Sequence, residues 1–261
     1  MMYGAIIGDI AGSRFEFNNI KHKNFETLCN ECYFTDDTVA TIAIADAIKK
    51  SKENGTDVKE EAIKSLKTLG KKYPNVGWGW MFYHMWLKSI HPEPYNSFGN
   101  GSAMRISAAA WMAESEIEAI ELAVNATVIT HNHAEGIKGA IATTLMIYRA
   151  IHGASKEELM KTAEEFYDMD FTLDEIRDTY EHSEACQDTL PQAFEAFFEG
   201  EDFEDVIKNA IALGGDSDTI AAIAGSVAEA YYGVPHDLKE KAMELLTPEL
   251  RKMVEEMEVT V

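Results

Sequence analysis

Cysteine, proline and basic residues are scarce in this sequence. Its 261 residues include three cysteines, and this odd number excludes a complete disulfide framework and favours reduced thiols. Cys29 and Cys32 form a C-x-x-C pair, but no second pair is present to complete the four ligands of a structural zinc site. The six prolines are dispersed, so no proline-rich linker divides the chain.

Lysine and arginine are outnumbered by acidic residues, 23 to 45, which gives a formal net charge of -22. A protein that neutralises phosphates needs clustered basic side chains, so this balance argues against nucleic acids and anionic membranes as partners. No apolar run approaches the ~18 residues of a membrane span. The start, MMYGAIIGDIAGSRFE, lacks the basic segment of a secretory signal. We therefore expect a cytoplasmic protein that does not enter a membrane.

Helical spacing of apolar residues recurs along the chain, whereas the alternation typical of strands is nearly absent. Capping boxes are expected at Ser155 with Glu158 and at Ser115 with Glu118. The chain is predicted to be one compact all-α domain over residues 1–261, a multi-helix bundle. Its predicted helices span residues 2–12, 37–50, 57–71, 79–89, 101–113, 116–128, 133–152, 155–166, 188–199, 202–213, 217–232 and 237–257, the last in one or two pieces.

The first of these helices and the one over residues 217–232 are rich in small residues. Gly4, Gly8 and Gly12 recur at intervals of four, as do Ala221 and Gly225. Glycine costs a helix about 1 kcal/mol relative to alanine, and close approach between buried helices is the expected compensation. These two helices are therefore predicted to be the central ones of the bundle.

Two acidic motifs stand at predicted helix starts, FTDDT at 34–38 and GGDSDT at 214–219. Alone, each is explained by capping, because Asp and Thr are good N-cap residues and a carboxylate suits the positive end of a helix. A cap needs only one acidic oxygen, however, and each motif supplies two carboxylates and a hydroxyl. If the helix starts converge, the carboxylates need a hard cation such as Mg²⁺, Mn²⁺ or Ca²⁺. Four carboxylates carry enough charge to hold two such ions, a recurring hydrolytic arrangement. The expected metal ligands are Thr35, Asp36, Asp37, Asp216, Asp218 and Thr219.

A glycine-rich stretch, NSFGNGS at 96–102, is a second candidate site. Its backbone N–H groups either cradle a diphosphate or belong to an ordinary turn that precedes a helix. Phe98 either stacks on an aromatic ligand ring or anchors the loop. His131 is either a satisfied core residue or a donor to a phosphate oxygen. Arg105 is expected to form a salt bridge with a buried carboxylate.

Five segments resemble, in order, the successive motifs of the ADP-ribosylglycohydrolase superfamily. That group includes the dinitrogenase-reductase-activating glycohydrolases, the ADP-ribosyl-acceptor hydrolases and the J crystallins. The resemblance implies an all-α fold, a two-magnesium centre and hydrolysis of the bond between C1″ of ADP-ribose and an acceptor. The implied partner is an ADP-ribosylated protein or a small-molecule conjugate. The five segments are GAIIGDIAGSRFE (4–16), FTDDT (34–38), FGNGSAMR (98–105), THNHAEGIKGA (130–140) and GGDSDTIAAIAG (214–225).

Matched by position, the two acidic motifs correspond to the metal centre of that superfamily. Glu16 matches a metal-proximal glutamate that is a candidate acid or base, and Asp37 and Asp216 are also predicted to be catalytic. The chain is short for the superfamily, which leaves the acceptor open among arginine, serine, O-acetyl and nucleobase conjugates. The residues expected to bind ADP-ribose are Ser97, Phe98, Gly99, Asn100, Gly101 and His131.

Two other kinds of protein remain as alternatives. The first is an ADP-ribose-binding, immunity or crystallin-like protein with little turnover. Crystallin-like members are expected to lose metal aspartates, whereas this chain keeps all four. The second is an all-α Mg²⁺-dependent phosphohydrolase, which usually shows E-x-x-E ligands or an H-D pair, and neither pattern dominates here.

Overall fold

The computed structural model describes residues 1–258, so the last three residues of the predicted domain lie outside the described residues. Within that range the chain forms α-helices and no β-strand, apart from an isolated bridge between Gly99 and Ala185. The all-α prediction is therefore confirmed. The α-helices are α1 Tyr3–Gly12, α2 Asp36–Asn54, α3 Val58–Lys72, α4 Ser107–Trp111, α5 Glu116–Thr127, α6 Ala134–Ile151, α7 Lys156–Glu164, α8 Leu173–Ile176, α9 Cys186–Glu199, α10 Phe203–Leu213, α11 Ser217–Tyr232, α12 His236–Leu245 and α13 Pro248–Glu258.

Helix α1 lies at the centre of the bundle, with all of its residues buried. It packs antiparallel against α11, because Gly4 meets Gly225 while Gly12 meets Asp218. A Cβ atom added at Gly4 would lie 2.0 Å from the Gly225 carbonyl oxygen, and one at Gly12 would lie 2.4 Å from Asp218 Cα. The glycine spacing thus permits direct backbone contact between two buried helices, and the prediction of central small-residue helices is confirmed.

Replacement of Gly8 by alanine tests this contact. The added Cβ would lie 2.1 Å from the carbonyl oxygen of Ala221, a backbone atom that cannot rotate away. We expect Gly8→Ala to lower the free energy of unfolding by about 3 kcal/mol or more, measured by urea denaturation. Gly79→Ala is the control, since no atom lies within 4 Å of its added Cβ. Equal stability of the two variants would contradict the tight contact.

Several predicted helices differ from those observed. Residues 79–89 contain a π-helix, Phe82–Leu87, in place of an α-helix. The rings of Trp78, Phe82 and Trp86 stack along it, with centroids 4.9 and 5.1 Å apart. The helix predicted over 101–113 divides into a 3-10 helix, Asn100–Ser102, and the short α4. The N–H of Asn100 donates to the Glu184 carbonyl oxygen at 2.7 Å, which holds the start of this segment against the residues before α9.

Several helices begin at the capping residues that the sequence indicates. Ser155 and Glu158 form the predicted reciprocal capping box of α7. At α5, Ser115 accepts from the N–H of Glu118, but the Glu118 carboxylate accepts from the N–H of Glu114, so the box is only half formed. Helix α8, which was not predicted, begins with its own capping box. The last predicted helix forms two pieces, α12 and α13, because α13 begins at a proline.

Two further features complete the description of the fold. The Sγ atoms of Cys29 and Cys32 lie 3.8 Å apart, and both thiols are free. Among the described helices, none combines the length and apolar character needed to cross a bilayer.

The packing of α1 determines where the acidic motifs lie. Its last residue, Gly12, contacts Asp218 at the start of α11. Asp9, one turn earlier, accepts hydrogen bonds from the backbone N–H groups of Thr35 and Thr38 at the start of α2. The carboxyl end of α1 therefore holds the amino ends of α2 and α11 side by side.

Candidate active site

A cavity of about 320 Å³ opens beside the joined ends of α1, α2 and α11. Its wall combines the acidic motifs, the glycine-rich loop, the residues before and within the π-helix, and the segment that precedes α9. The lining residues are Glu16, Asp36, Asp37, Gly77, Trp78, Gly79, Trp80, Met81, Phe82, Tyr95, Ser97, Gly99, Asn100, Gly101, Met104, Arg105, His131, Glu184, Asp216, Asp218 and Thr219.

One end of the cavity is a cluster of carboxyl groups. Glu16, Asp216 and Asp218 each direct an oxygen to a common region, where these atoms lie within 4.8 Å of one another. Asp36 and Asp37 line the same cavity. Asp37, Asp216 and Asp218 are buried, whereas Glu16 and Asp36 are partly buried. Residues about 180 positions apart in the sequence are therefore neighbours at this end.

Burial and mutual repulsion disfavour the charged forms of these groups. Burial, followed by the neighbouring Asp218, raises the pKa of Glu16 to about 8. Burial raises the pKa of Asp216 to about 7, against the hydrogen bond from Asn100. Burial and the charges of their neighbours also raise the pKa values of Asp36, Asp37 and Asp218 well above their usual range. Without a cation, this cluster therefore retains protons that ordinary carboxyl groups lose.

The helices do not need these carboxylates as caps. Thr35 is the N-cap of α2, where its hydroxyl accepts from the N–H of Asp37 at 3.3 Å. Asp216 occupies the N-cap position of α11 but forms no capping bond, and its Oδ2 accepts instead from the Asn100 side chain at 2.6 Å. Asp37 Oδ2 is buried, and no described residue forms a hydrogen bond with it. Such an orphaned oxygen, in a donor set made of oxygen atoms, fits a hard divalent cation.

Asp9 supports the first acidic motif and was not among the predicted site residues. Its Oδ1 accepts from the Thr35 hydroxyl at 2.6 Å, while its Oδ2 accepts from the N–H of Thr35 at 2.9 Å and that of Thr38 at 3.0 Å. The Thr38 hydroxyl also donates to Oδ2. A lone carboxylate inside the apolar, small-residue helix α1 was the sequence signal for this role.

Another part of the cavity wall carries hydrogen-bond donors and a positive charge. Arg105 is only 2% exposed, donates to the Thr130 hydroxyl at 2.7 Å and, within the described residues, leaves its Nε without an acceptor. The expected salt bridge is not formed within the described residues, although the charge of Asp36 raises the pKa of this guanidinium against the larger effect of burial. Burial, aided by Arg105, lowers the pKa of His131 well below its usual value, so this imidazole is neutral. The cavity wall therefore combines a carboxyl cluster with a buried guanidinium that lies within electrostatic reach of Asp36.

The predicted ADP-ribose residues divide into two groups. Ser97, Gly99, Asn100, Gly101 and His131 line the cavity. Phe98 lies outside that lining, is 48% exposed and makes an edge contact with His133 at 5.5 Å between ring centroids. The loop is held by the bridge to the segment before α9, where the N–H of Cys186 donates to the Phe98 carbonyl oxygen at 3.0 Å.

An aromatic wall lies beside the carboxyl cluster, and its residues were not among the predicted site residues. Trp78 and Phe82 line the cavity, and Trp80 lines it while remaining 67% exposed. Gly77 brings this wall close to the cluster: its φ is 98°, and a Cβ there would lie 3.1 Å from Asp36 Oδ1. The run GWGWMF was the signal, because two glycines among tryptophans indicate a bend rather than a regular helix.

The fold and the cavity define a class of all-α protein with a carboxyl cluster at the ends of its central helices. The family model described as ADP-ribosylglycohydrolase matches residues 1–260, and the chain belongs to that family.

The relatives whose names state an activity are distant in sequence. ADP-ribosylhydrolase ARH3 of Homo sapiens is 24% identical over an alignment of 308 residues, gaps included, which covers 88% of this chain and 84% of that protein. ADP-ribosylarginine hydrolase Tri1 of Pseudomonas putida (strain GB-1) is 26% identical over 263 residues, covering 89% and 70%. A solved ADP-ribosylglycohydrolase-related protein complex shares the fold, with a TM-score of 0.67 at 23% identity over 98% of this chain and 95% of that one.

Proposed function

We propose that the protein hydrolyses the bond between C1″ of ADP-ribose and an acceptor and releases ADP-ribose. The acceptor is a protein side chain or a small molecule. The observation that carries this proposal is the cavity itself, whose wall combines five carboxyl groups with Arg105, His131 and the glycine-rich loop. The family and the named hydrolases among its relatives support the reaction. We further propose that residues 1–261 act as one domain.

The carboxyl cluster is proposed to hold two Mg²⁺ or Mn²⁺ ions. The orphaned Oδ2 of Asp37 and the oxygen donor set fit such ions. When bound, they would supply positive charge that orients ribose hydroxyls and a water. The proposed ligands are Thr35, Asp36, Asp37, Asp216, Asp218 and Thr219.

Glu16 is proposed to transfer the proton. Its carboxyl group borders the cluster, and a pKa of about 8 leaves it protonated at neutral pH in the metal-free protein. Departure of the acceptor from C1″ develops oxocarbenium character, and a proton from Glu16 would assist that departure or be recovered from the attacking water. Asp37 and Asp216 are proposed to accept hydrogen bonds from the ribose hydroxyls and the attacking water, since both lie buried in the same cavity.

The part of the cavity formed by Arg105, His131 and the glycine-rich loop is proposed to bind the diphosphate of ADP-ribose. His131, Gly99 and Gly101 line the cavity, and within the described residues the buried guanidinium of Arg105 leaves its Nε without an acceptor. Phe98, exposed at the edge of the loop, is proposed to stack on the purine.

A panel of ADP-ribosylated acceptors tests this function. Metal-free protein is incubated with ADP-ribosyl-arginine, ADP-ribosyl-serine, O-acetyl-ADP-ribose and an ADP-ribosylated nucleobase, each with Mg²⁺ or Mn²⁺, and free ADP-ribose is quantified. Release from at least one conjugate is expected, and EDTA should abolish it. No release from any conjugate, together with tight binding of ADP-ribose, would identify a binding protein instead.

The metal-free protein should lose stability as the pH rises. The pKa values of the cluster are raised in the folded state, so between about pH 4 and about pH 8 the folded protein binds more protons than the unfolded one. Each extra proton contributes a slope of about -1.4 kcal/mol per pH unit to the free energy of unfolding. Urea unfolding with EDTA should show this slope, and saturating Mg²⁺ should flatten it while stabilising the fold. Identical slopes with and without the ion would exclude metal binding at the cluster.

A further inference from the structure

Asn19 joins the loop after α1 to the turn before α11. Its Oδ1 accepts from the N–H of Gly215 at 2.8 Å, and its Nδ2 donates to the Gly215 carbonyl oxygen at 3.0 Å. The same Nδ2 lies 2.7 Å from the carbonyl oxygen of Phe15 and 3.1 Å from that of Glu16. One amide side chain therefore holds the backbone of Glu16 and the backbone of Gly215 together.

The turn that Asn19 contacts determines where the second acidic motif points. Gly214 and Gly215 have φ angles of 80° and 72°, in the left-handed region that favours glycine. Asp216 follows directly, so its position depends on this turn. Lys21 binds the same turn from the same loop, because its Nζ donates to the Leu213 carbonyl oxygen at 2.5 Å.

We propose that Asn19 is a positioning residue that sets the separation between the carboxyl group of Glu16 and those of Asp216 and Asp218. These three groups place oxygens within 4.8 Å of one another although they come from two segments. Glu16 is only partly buried, so packing alone does not fix it. The hydrogen bonds of Asn19 bridge the two segments next to that cluster. The kinetic part of this inference rests on the proposed function, whereas the metal-binding part does not.

Metal binding to the metal-free protein is the first test, with Mn²⁺ alone as the probe. Calorimetry should show that Asn19→Ala binds Mn²⁺ about 10-fold more weakly or worse, as is typical when a residue that orients a metal ligand is lost. Asn19→Asp keeps the acceptor oxygen but loses the amide donor, and it should weaken binding in the same direction. Asn18→Ala is the matched control, because the side chain of this exposed neighbour makes none of the contacts that the Asn19 side chain makes. Thermal unfolding verifies that each variant is folded.

Protection of backbone amides from hydrogen exchange is a second measurement, and it needs neither metal nor substrate. Loss of the Asn19 side chain should speed amide hydrogen exchange at Gly215, because the Asn19 side chain accepts a hydrogen bond from the Gly215 N–H. Exchange in α7, none of whose residues lines the cavity, should not change.

A double-mutant cycle shows whether Asn19 acts through Glu16. Asn19→Ala should lower kcat by about 10- to 100-fold, the cost of a misplaced reacting group, with KM nearly unchanged. In a Glu16→Gln background the same change should cost much less, because the group that it positions is absent. An equal loss in both backgrounds would overturn the proposal, as would unchanged Mn²⁺ affinity in Asn19→Ala or an equal loss in Asn18→Ala. If the parent hydrolyses no conjugate, the proposed function fails, while the Mn²⁺ titration and amide exchange still decide the role of Asn19.

Discussion

Asp36→Asn and Asp218→Asn should each abolish measurable hydrolysis and weaken Mg²⁺ binding by more than about 100-fold. Loss of a residue that merely supports a metal ligand costs about 10- to 100-fold, so loss of a ligand should cost more. The two residues come from different motifs yet line one cavity, and burial together with neighbouring carboxylates raises the pKa of each. Asparagine keeps the shape of the side chain and removes its charge.

The same variants should make the metal-free protein more stable. Removing one of several mutually repelling carboxyl groups relieves a cost that only a bound cation otherwise offsets, so each variant should unfold at a higher temperature than the parent in EDTA. Added Mg²⁺ should then stabilise the parent and have little effect on the variants. Calorimetric titration and thermal unfolding on the same samples measure both effects.

Asp46→Asn is the matched control for Asp36. Asp46 lies on the same helix, α2, but its carboxylate bonds to Lys50 and Ser65, outside the cavity. This variant should keep Mg²⁺ binding and hydrolysis while losing a little stability. Metal binding by Asp36→Asn and Asp218→Asn at the parent's affinity would show that the cluster is not the metal site.

The position of the acidic motifs could be predicted from the sequence because a few local signals agree. Threonine and aspartate before a small, apolar helix indicate a helix start, and glycines at intervals of four indicate close helix contact. The structure joins these signals: Gly12 contacts Asp218, and Asp9 accepts hydrogen bonds at the start of α2. Each feature depends on residues near one another in the chain or on a regular spacing, which is why it can be predicted from the sequence.

The surroundings of Arg105 depend on contacts that no local pattern encodes. Arg105 was expected to pair with a carboxylate, yet its neighbours are Tyr95 from one loop and Thr130 and His131 from another. The aromatic stretch at 78–86 has helical spacing, but stacking of rings four residues apart accompanies a π-helix instead of an α-helix. Helical periodicity predicts that such residues share a face, and it does not predict which backbone turn brings them together.

The contribution of Asn19 illustrates the same limit. In the sequence it is one polar residue in a polar loop, and Asn18 beside it is identical in type. Only the fold brings residues 19 and 215 together, and this contact distinguishes the two asparagines. Side-chain bonds to backbone groups distant in sequence therefore have to be read from the structure.

Glu16→Gln should lower the rate of bond cleavage by roughly 10² to 10⁴, the usual contribution of a positioned proton-transfer group. Glutamine keeps the size of the side chain and can still accept a hydrogen bond, but it cannot donate the acidic proton. Affinity for free ADP-ribose should stay close to that of the parent, because the proposed diphosphate-binding residues do not include Glu16. Single-turnover cleavage of the preferred conjugate and titration with ADP-ribose, on the same sample, separate the two effects.

The control for this prediction is Glu31→Gln, which removes the charge of an exposed glutamate in the same connection between α1 and α2. It should leave cleavage unchanged. Because the pKa of Glu16 is raised by burial and by Asp218, bound cations near that carboxylate should lower it, and the parent's rate should show a pH dependence that Glu16→Gln loses. Turnover by Glu16→Gln equal to that of the parent would assign proton transfer to another group. A large loss of cleavage with the same pH dependence as the parent would instead indicate that Glu16 acts through its place in the carboxyl cluster, as a support for metal binding.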